Sequence, residues 1–441
     1  MGKGKQGYSM NTIQKIAKNT GIIIAGDIVN KAISLAVAIF LARYIGAVGY
    51  GKIAFVSAYL TLFGIITDLG INTILVRDIS RDKSLVKKYI GNAAVIKLVL
   101  SILAIVIATI VIMIMPNPAE TKIYVYIMSI TLLFNSFSGL FSAIFQVNLK
   151  MGYNVFANLI NRILSAGLIF WIIFSRGTIL QIIIVLTLSN FIGMLINYIY
   201  SKKFVKLKFR VDFNIWKIFI REALPLAFIG FFTIIYRRVS QVMLSNMQGD
   251  AALGYYTTAI NLTESLHIIP SAFMISIFPL MSEYFYSSKN LIKRTYELSF
   301  KFMLILALII AIGTTLLSYR IITIIYGNKF LPSVLTLSIL IWANVFIFLN
   351  IIQNYVFISF NKQRILTYIV IIMTFFNVTL NYIFIPKFNY IGVSVITVLT
   401  ECFGFLIGFY YVYKLLNIKS LKMFFISSKD FKLLKEIISR H

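Results

Sequence analysis

Residues 89–115 read YIGNAAVIKLVLSILAIVIATIVIMIM. Apart from Lys97 the run carries no charge, and after it Ser101 and Thr109 are the only polar side chains. As a helix rising about 1.5 Å per residue, such a run matches a hydrocarbon core roughly 30 Å thick, where every backbone amide needs an internal partner. Similar runs recur along the chain, at 17–42, 51–76, 121–146, 152–175, 178–201, 221–246, 253–282, 295–319, 332–359, 364–385 and 390–414. The expected fold class is an all-α integral membrane protein of about twelve transmembrane helices.

Composition agrees. Of 441 residues, 59% are hydrophobic and 13% charged, with a mean hydropathy of +0.89, far more apolar side chain than one soluble core buries. The short alternating segments of a strand barrel are absent from the sequence. One cysteine, Cys402, leaves no internal disulfide and no cysteine metal cage. Lys3, Lys5, Lys15 and Lys18 precede the first span as in a signal sequence. That span is too long for a signal core, however, carries Asp27 and Lys31, and lacks a small-residue cleavage site, so it is expected to be retained.

The net charge of +28 is expected on one face of the bilayer. Counted loop by loop, Lys and Arg fall overwhelmingly on the side of the N-terminus, most densely in Arg77 to Lys88, Lys202 to Arg221 and Lys414 to Arg440. The positive-inside rule then places both termini in the cytoplasm and the chain in the cytoplasmic membrane. No loop is long enough to form a nucleic-acid-binding face, whereas basic loops attract anionic membrane lipids, the partner expected of most of this charge.

The basic segment 203–220 divides the chain into an N-terminal six-helix lobe (1–202) and a C-terminal one (221–416), followed by a basic amphipathic tail (417–441). The linker and the stretch from Leu421 to Ile438 alternate apolar and basic residues, as in segments lying along headgroups. An internal repeat supports the division. Arg43-Tyr44-Ile45-Gly46-Ala47-Val48-Gly49-Tyr50-Gly51 ends the first helix and Gly249-Asp250-Ala251-Ala252-Leu253-Gly254-Tyr255-Tyr256 follows the seventh, each placing Gly-Tyr at the start of the next helix. Two pseudo-symmetric lobes related by an axis along the membrane normal predict a central cavity.

Charges inside spans carry the functional signal, because a lone ion at the bilayer centre costs at least about 2.5–3.5 kcal/mol and so tends to face a cavity or a partner. This count leaves Lys31, Lys97, Arg237, Arg238 and Lys301 in or near helices. They could tie helices together, Lys31 through Asp27 and the arginines through Asp68, Glu222 or Glu264, with Lys97 snorkelling. Adjacent arginines do not easily share one carboxylate, however, so a cationic cavity is preferred. The guanidinium fork matches two phosphate oxygens and a lysine adds a movable point charge. Lys31, Lys97, Arg237 and Arg238 are therefore the expected substrate-binding residues, for a phosphate or diphosphate. Asp27, Asp68, Glu264 and Glu401 are candidates for coupling to H⁺ or Na⁺. Glu264 and His267 form an isolated Glu-x-x-His without the second pair that a two-metal bundle needs, so His267 reads as a packing residue and no metal or other cofactor is expected. Pro270 and Pro279 free backbone carbonyls and permit a kink, hinge or gate. Asn344, Asn350 and Asn354 either line the cavity or join helices, with joining favoured.

Four motifs, in order along nearly the whole chain, resemble one family. Asp68-Leu69-Gly70-Ile71-Asn72, then Leu75-Val76-Arg77-Asp78, is similar to the end of helix 2 in the polysaccharide-synthesis flippases, the Wzx-like branch of the multidrug/oligosaccharidyl-lipid/polysaccharide exporter superfamily. Ile277-Phe278-Pro279-Leu280-Met281-Ser282 resembles that family's helix 8 ending. Asn381-Tyr382-Ile383-Phe384-Ile385-Pro386-Lys387 with Ile391-Gly392-Val393 resembles its link between helices 11 and 12, and the Gly-Tyr turns fit too. The resemblance implies two lobes that open alternately to each side and flip a lipid-linked, polyprenyl-diphosphate oligosaccharide to the outer face, among other polysaccharide-synthesis proteins. On matching helices it assigns Lys31, Arg237 and Arg238 to the phosphate-sugar head. Export of an anion is electrically downhill by about 2.3 kcal/mol per charge per 100 mV, and no Walker loop supplies ATP chemistry. A multidrug exporter of the same superfamily would call for an acid-rich cavity. A membrane glycan-processing enzyme would need a carboxylate or histidine constellation near a surface, and a non-transporting scaffold of the synthetic complex is a further alternative.

Overall fold

The structure, a computed structural model, describes residues 10–418. Lys3, Lys5, His441 and the expected interfacial tail lie outside the described residues. The helix from the opening stretch, Val86–Ile114, shows how the chain meets its solvent. One stripe, Lys97, Ser101, Ala104, Ala108 and Ile112, is fully buried, while Val99, Ile102, Leu103, Val106, Ile110 and Met113 stand about half exposed on the other side. Small and polar residues lie inside and large aliphatic ones outside, the arrangement expected when lipid is the solvent and helices associate by close packing.

The described residues form thirteen α-helices and no strand: α1 (Met10–Gly64), α2 (Ile71–Arg81), α3 (Val86–Ile114), α4 (Ala119–Ser129), α5 (Thr131–Val147), α6 (Gly152–Phe174), α7 (Ile179–Ser201), α8 (Phe213–Gln248), α9 (Asp250–Ser265), α10 (Ile268–Ser287), α11 (Lys289–Ile325), α12 (Ser333–Ser359) and α13 (Gln363–Leu415). Ten helical stretches are long and apolar enough to cross a membrane. Two of these each hold a break. Gly46 interrupts α1 at φ 70° and Asn389 interrupts α13 at φ 54°. Helices of 55 and 53 residues would extend about 80 Å unbroken, so each supplies two crossings and the expected twelve are present.

Three spans depart from uniform helix for local reasons. The second is expected to run through residue 76 but stops after the short turn Ile65–Thr67, because Leu69 (φ 48°) and Gly70 (φ 86°) are left-handed. A Cβ on Gly70 would also lie 2.9 Å from Leu226 Cβ, so glycine is required twice over. The fourth is divided at Ile130 between α4 and α5. The eighth is divided into α9 and α10 at Leu266 and His267. Pro270 has no N–H to give the Leu266 carbonyl four residues earlier, and its ring crowds that carbonyl.

The chain forms two compact units that divide inside α8, one comprising residues 1–45 and 52–234, the other 46–51 and 235–441. The first has a core of Ile71, Ile74 and Leu75 from α2, Ile90, Ala93 and Ile96 from α3, Leu140, Phe141, Ile144 and Phe145 from α5, and Val205, Ile215, Phe219 and Ala223. The basic segment before α8 is thus anchored. Arg210 N donates to Gly91 O (3.4 Å), Asp212 N donates to Asn92 Oδ1 (2.7 Å), and Lys88 pairs with Asp212 (3.0 Å). The second unit is built on Met274, Met281, Tyr296, Phe300, Phe348, Ile352, Phe357 and their neighbours on α10 to α13.

The internal repeat has a conformational basis, out of register with the Gly-Tyr pairs. Gly46 (φ 70°, ψ −177°) and Gly249 (φ 85°, ψ 172°) share one backbone conformation closed to other residues. Five residues after each stands a second glycine in close contact. A Cβ on Gly51 would lie 1.7 Å from Asp250 O, and one on Gly254 would lie 2.0 Å from Ala47 O. The repeat is Gly-x4-Gly, and the two copies pack reciprocally within the second unit. Tyr50, brought there by this turn, accepts a hydrogen bond from Asn261 Nδ2 (2.7 Å).

Candidate functional site

In the first unit the expected site residues separate into a paired set and an unpaired one. Lys97 neither snorkels nor stands open. It is fully buried, pairs with Asp68 Oδ1 at 2.5 Å and donates to Ser136 O at 3.3 Å. Ser136 in turn donates to Thr67 O (2.9 Å). The helix break at Asp68 explains the arrangement, because it releases backbone carbonyls and turns the carboxylate towards α3. Asp68 Oδ1 also accepts from Asn72 N (3.4 Å) at the start of α2. The Asp-Leu-Gly-Ile-Asn motif therefore builds a turn locked by an ion pair to the buried Lys97.

Asp27 and Lys31 differ from that pair. They stand one turn apart on α1, both are exposed, and among the described residues neither makes an ion pair. Glu222, one of the acids expected as an arginine partner in the helix-tying alternative, is already used at the end of α2. Arg77 there holds both Asp78 (2.6 Å) and Glu222, and these two carboxylates, the hydrogen bond to Asp78 first, raise its already high pKa.

In the second unit Arg237 is exposed and Arg238 half-buried on α8. Neither makes an ion pair among the described residues, and nor does Glu264, but Arg237 lies close enough to Glu401 to act on its carboxylate, and Arg238 and Glu264 both act on Tyr256. Glu401, by contrast, is buried. It accepts hydrogen bonds from Tyr236 Oη and Asn350 Nδ2 (2.9 Å), which tie α8 and α12 to α13. Asn350 therefore joins helices. So does Asn344, which donates to Thr263 O (3.0 Å) and contacts His267 Nε2 (3.1 Å). Asn354 is exposed. The Asn381 of the late motif serves a polar network: its Nδ2 donates to Asn377 Oδ1 (2.9 Å) and lies 3.3 Å from Ser240 Oγ. Ser240 and Thr400 both bond Asn377, at 2.9 and 3.1 Å. The motif's Gly392 lets the chain pass Phe384 O, which a Cβ would approach to 2.9 Å.

Depth can be measured within each helix from its own glycine break. Lys31 lies fifteen residues before Gly46, and Arg237 and Arg238 lie twelve and eleven before Gly249. The difference is three or four residues, about 4.5–6 Å of helix, so Lys31 and the two arginines stand at similar distances from the glycine breaks of their own helices.

Sequence reasoning missed Arg162. Counted with the loop charges, it in fact stands in the middle of α6 and is exposed. The available signal was its position, ten residues into an apolar span whose strongly polar neighbours are asparagines. What the lone groups can do chemically is bind an anion, since Arg supplies a planar two-donor fork and Lys a mobile ammonium.

Comparison with known proteins agrees with this fold. The family described as "Polysaccharide biosynthesis protein" matches residues 16–285, and the MatE family matches residues 225–383. No curated protein matches the chain. Among solved structures, the lipid II flippase MurJ in an inward closed conformation has a TM-score of 0.71 at 17% identity, covering 95% of this chain and 96% of MurJ. An inward-facing multidrug resistance MATE family transporter of the MOP superfamily has a TM-score of 0.70 at 16% identity, covering 89% of this chain and 96% of its own. The MATE multidrug transporter DinF-BH has a TM-score of 0.60 at 14% identity, covering 97% of this chain and 100% of its own. Identities this low speak for a shared transporter fold alone. With a profile matching more than half of its length, the chain belongs to the polysaccharide biosynthesis protein family.

Proposed function

We propose that this protein flips a lipid-linked, polyprenyl-diphosphate oligosaccharide from the cytoplasmic to the outer face of the cytoplasmic membrane by alternating access. The observation that carries this reading is the pair Arg237 and Arg238, adjacent in an apolar helix and making no ion pair among the described residues, although Glu401 is near enough to offset Arg237 in part. The net positive charge left at this depth is costly unless water or an anion meets it. A diphosphate supplies the oxygens that guanidinium forks fit, and the family supplies the glycan context. Lys31 is the corresponding cation of the first unit. Lys97 contributes indirectly, by holding Asp68 and the turn that ends the second crossing. Both termini are proposed to be cytoplasmic, so the negative interior favours outward movement of the anionic headgroup. Asp27 and Glu264, the acids left unpaired, are the proposed H⁺ or Na⁺ sites, and the proline-divided eighth span is the proposed hinge, with Pro270 at its break and Pro279 within α10.

The match of the MatE family supports a second reading, export of organic cations. The unpaired acids would then carry function and the arginines would be dispensable. Replacing Arg237 and Arg238 by alanine, with expression checked, separates the two. Loss of outward appearance of labelled lipid-linked glycan is expected, and unchanged translocation rejects the role given to the arginines.

A further inference from the structure

The basic segment between α7 and α8 is fastened to the first unit along its length. Val205 belongs to that unit's core and Leu207 packs on it. A Cβ on Gly91 would come within 2.3 Å of Lys208 O, so the linker lies directly on α3. Asn92 Oδ1 accepts from both Asp212 N (2.7 Å) and Trp216 Nε1 (3.2 Å). Asp212 Oδ1 in turn accepts from Asn214 N (3.0 Å) at the start of α8. Gly91 and Asn92 are the third and fourth residues of the apolar run 89–115, at the end of it that meets the basic loops. The linker therefore crosses α3 at the level where a span ends and headgroups begin.

The outer face of this fastened segment mixes apolar and basic side chains. Phe209, Val211 and Phe213 are 61%, 57% and 74% exposed. At about 100° per residue, Phe213, Ile220, Leu224 and Phe228 fall within about 80° of one another on α8, and the last three are 49%, 61% and 56% exposed. That stripe runs into the apolar part of α8 and is its lipid face, so Phe213 and the linker residues before it continue a lipid-facing surface past the end of the span. Cations interleave with them. Lys206, Lys208, Arg210 and Lys217 are exposed and make no ion pair among the described residues. The one carboxylate between residues 202 and 220, Asp212, is taken by Lys88 (3.0 Å). Lys202 and Lys203 lie over neutral rings, Tyr198 at 4.4 Å and Tyr153 and Tyr200 at 5.3 Å, which leaves the net charge in place. Exposed aromatics among unneutralised cations, at the end of a lipid face, fit the boundary between acyl chains and anionic headgroups.

We propose that this linker is a docking site for anionic phospholipid of the cytoplasmic leaflet, in which Phe209, Val211 and Phe213 enter the acyl boundary while Lys206, Lys208 and Arg210 hold lipid phosphates. Because the segment is already fixed on α3, little ordering is lost on binding. That separates it from basic loops whose charge acts only through the general field of the leaflet. The exposed aromatics continue the lipid face of α8, which favours a bilayer lipid over a soluble protein as the occupant. The site does not depend on what the protein carries.

The test uses the purified full-length protein. Val211→Cys in a Cys402→Ser background is labelled with a dye whose emission shifts to the blue on leaving water, and placed in nanodiscs of phosphatidylcholine alone or mixed equally with phosphatidylglycerol. A blue shift, with quenching by lipids that carry a nitroxide near the headgroup, is expected in the mixed discs and should be clearly smaller in phosphatidylcholine alone. In a second arm, phosphatidylglycerol is titrated into unlabelled protein in neutral detergent and bound lipid is counted by native mass spectrometry. Lys206→Gln/Lys208→Gln should weaken the tightest lipid about tenfold or more. Lys362→Gln/Arg364→Gln, which removes the same charge from exposed positions elsewhere, should change it less than about twofold. Equal losses from the two pairs overturn the proposal, because general attraction then accounts for the binding. A probe that stays in water in both kinds of disc, or shifts equally in both, overturns it too. A shift that appears only with two copies of the protein per disc assigns this face to a second copy and not to lipid.

Discussion

Removing the Lys97 ammonium should unlock the first unit without touching a ligand. Lys97 is fully buried, and its charge is met by Asp68 at 2.5 Å and by Ser136 O. In Lys97→Met the apolar volume is roughly kept, but Asp68, whose side chain is 31% exposed, loses its partner beside the helix break. Stranding one member of a fully buried pair costs about 3–5 kcal/mol, and the water that reaches Asp68 brings this to about 1–3 kcal/mol. For a cooperative unit of roughly 200 residues, about 2–4 °C per kcal/mol turns this into a fall of about 2–12 °C in the unfolding midpoint. Ala93 is fully buried in the first unit, so Ala93→Cys in a Cys402→Ser background reports that unit's unfolding by its reaction with a fluorogenic maleimide during heating, and the native, partly buried Cys402 reports the second unit's. Combining Lys97→Met with Asp68→Leu removes both charges and should recover most of the loss, since an apolar pair often replaces a buried ion pair at little cost. The reasoning is refuted if Lys97→Met melts like the wild type and loses only transport, for then Lys97 would act on the substrate.

Other expectations follow from single contacts. Gly254→Ala places a methyl against the Ala47 carbonyl, a backbone atom that cannot swing aside, and should cost about 1–3 kcal/mol in the same thermal assay, whereas Gly313→Ala, with open space around it, should not. Gly70→Ala combines a left-handed backbone with the approach of Leu226, and should lower the midpoint while leaving the span count unchanged by cysteine-scanning accessibility. Lys88 holds the Asp212 carboxyl below its ordinary range. A depressed carboxylate stabilises fully above its unfolded value of about 3.9 and is lost as pH falls through the folded value. Pepsin cleavage between residues 202 and 212 should therefore increase as pH drops below about 4, and Asp212→Asn should show the same susceptibility at pH 5.

Much of this architecture was legible in the sequence, and the exceptions share a cause. Runs such as residues 89–115 announce a membrane span by length alone, and the twelve crossings follow. Breaks inside spans depend on single residues whose meaning is set by neighbours distant in sequence. Leu69-Gly70 could pass for the interior of an apolar helix until Leu226 crosses it. The Gly-Tyr pairs drew attention to the repeat, but the shared conformation belongs to Gly46 and Gly249, a few residues earlier, because backbone angle and not side chain is what repeats. Charge was harder still. Lys97 and Lys31 both read as basic residues in apolar helices and Arg162 as a loop charge, and only packing shows that the first is paired and that the other two make no ion pair among the described residues.

The most direct measurement is transbilayer movement of a fluorescent polyprenyl-diphosphate oligosaccharide in proteoliposomes, with the intact protein and with Arg237→Gln/Arg238→Gln. Tetraphenylphosphonium serves as the organic cation for comparison. Movement of the lipid well above protein-free vesicles, abolished in the double variant while the organic cation is left untransported by both, is the result predicted. Transport of the organic cation with no acceleration of the lipid would contradict it.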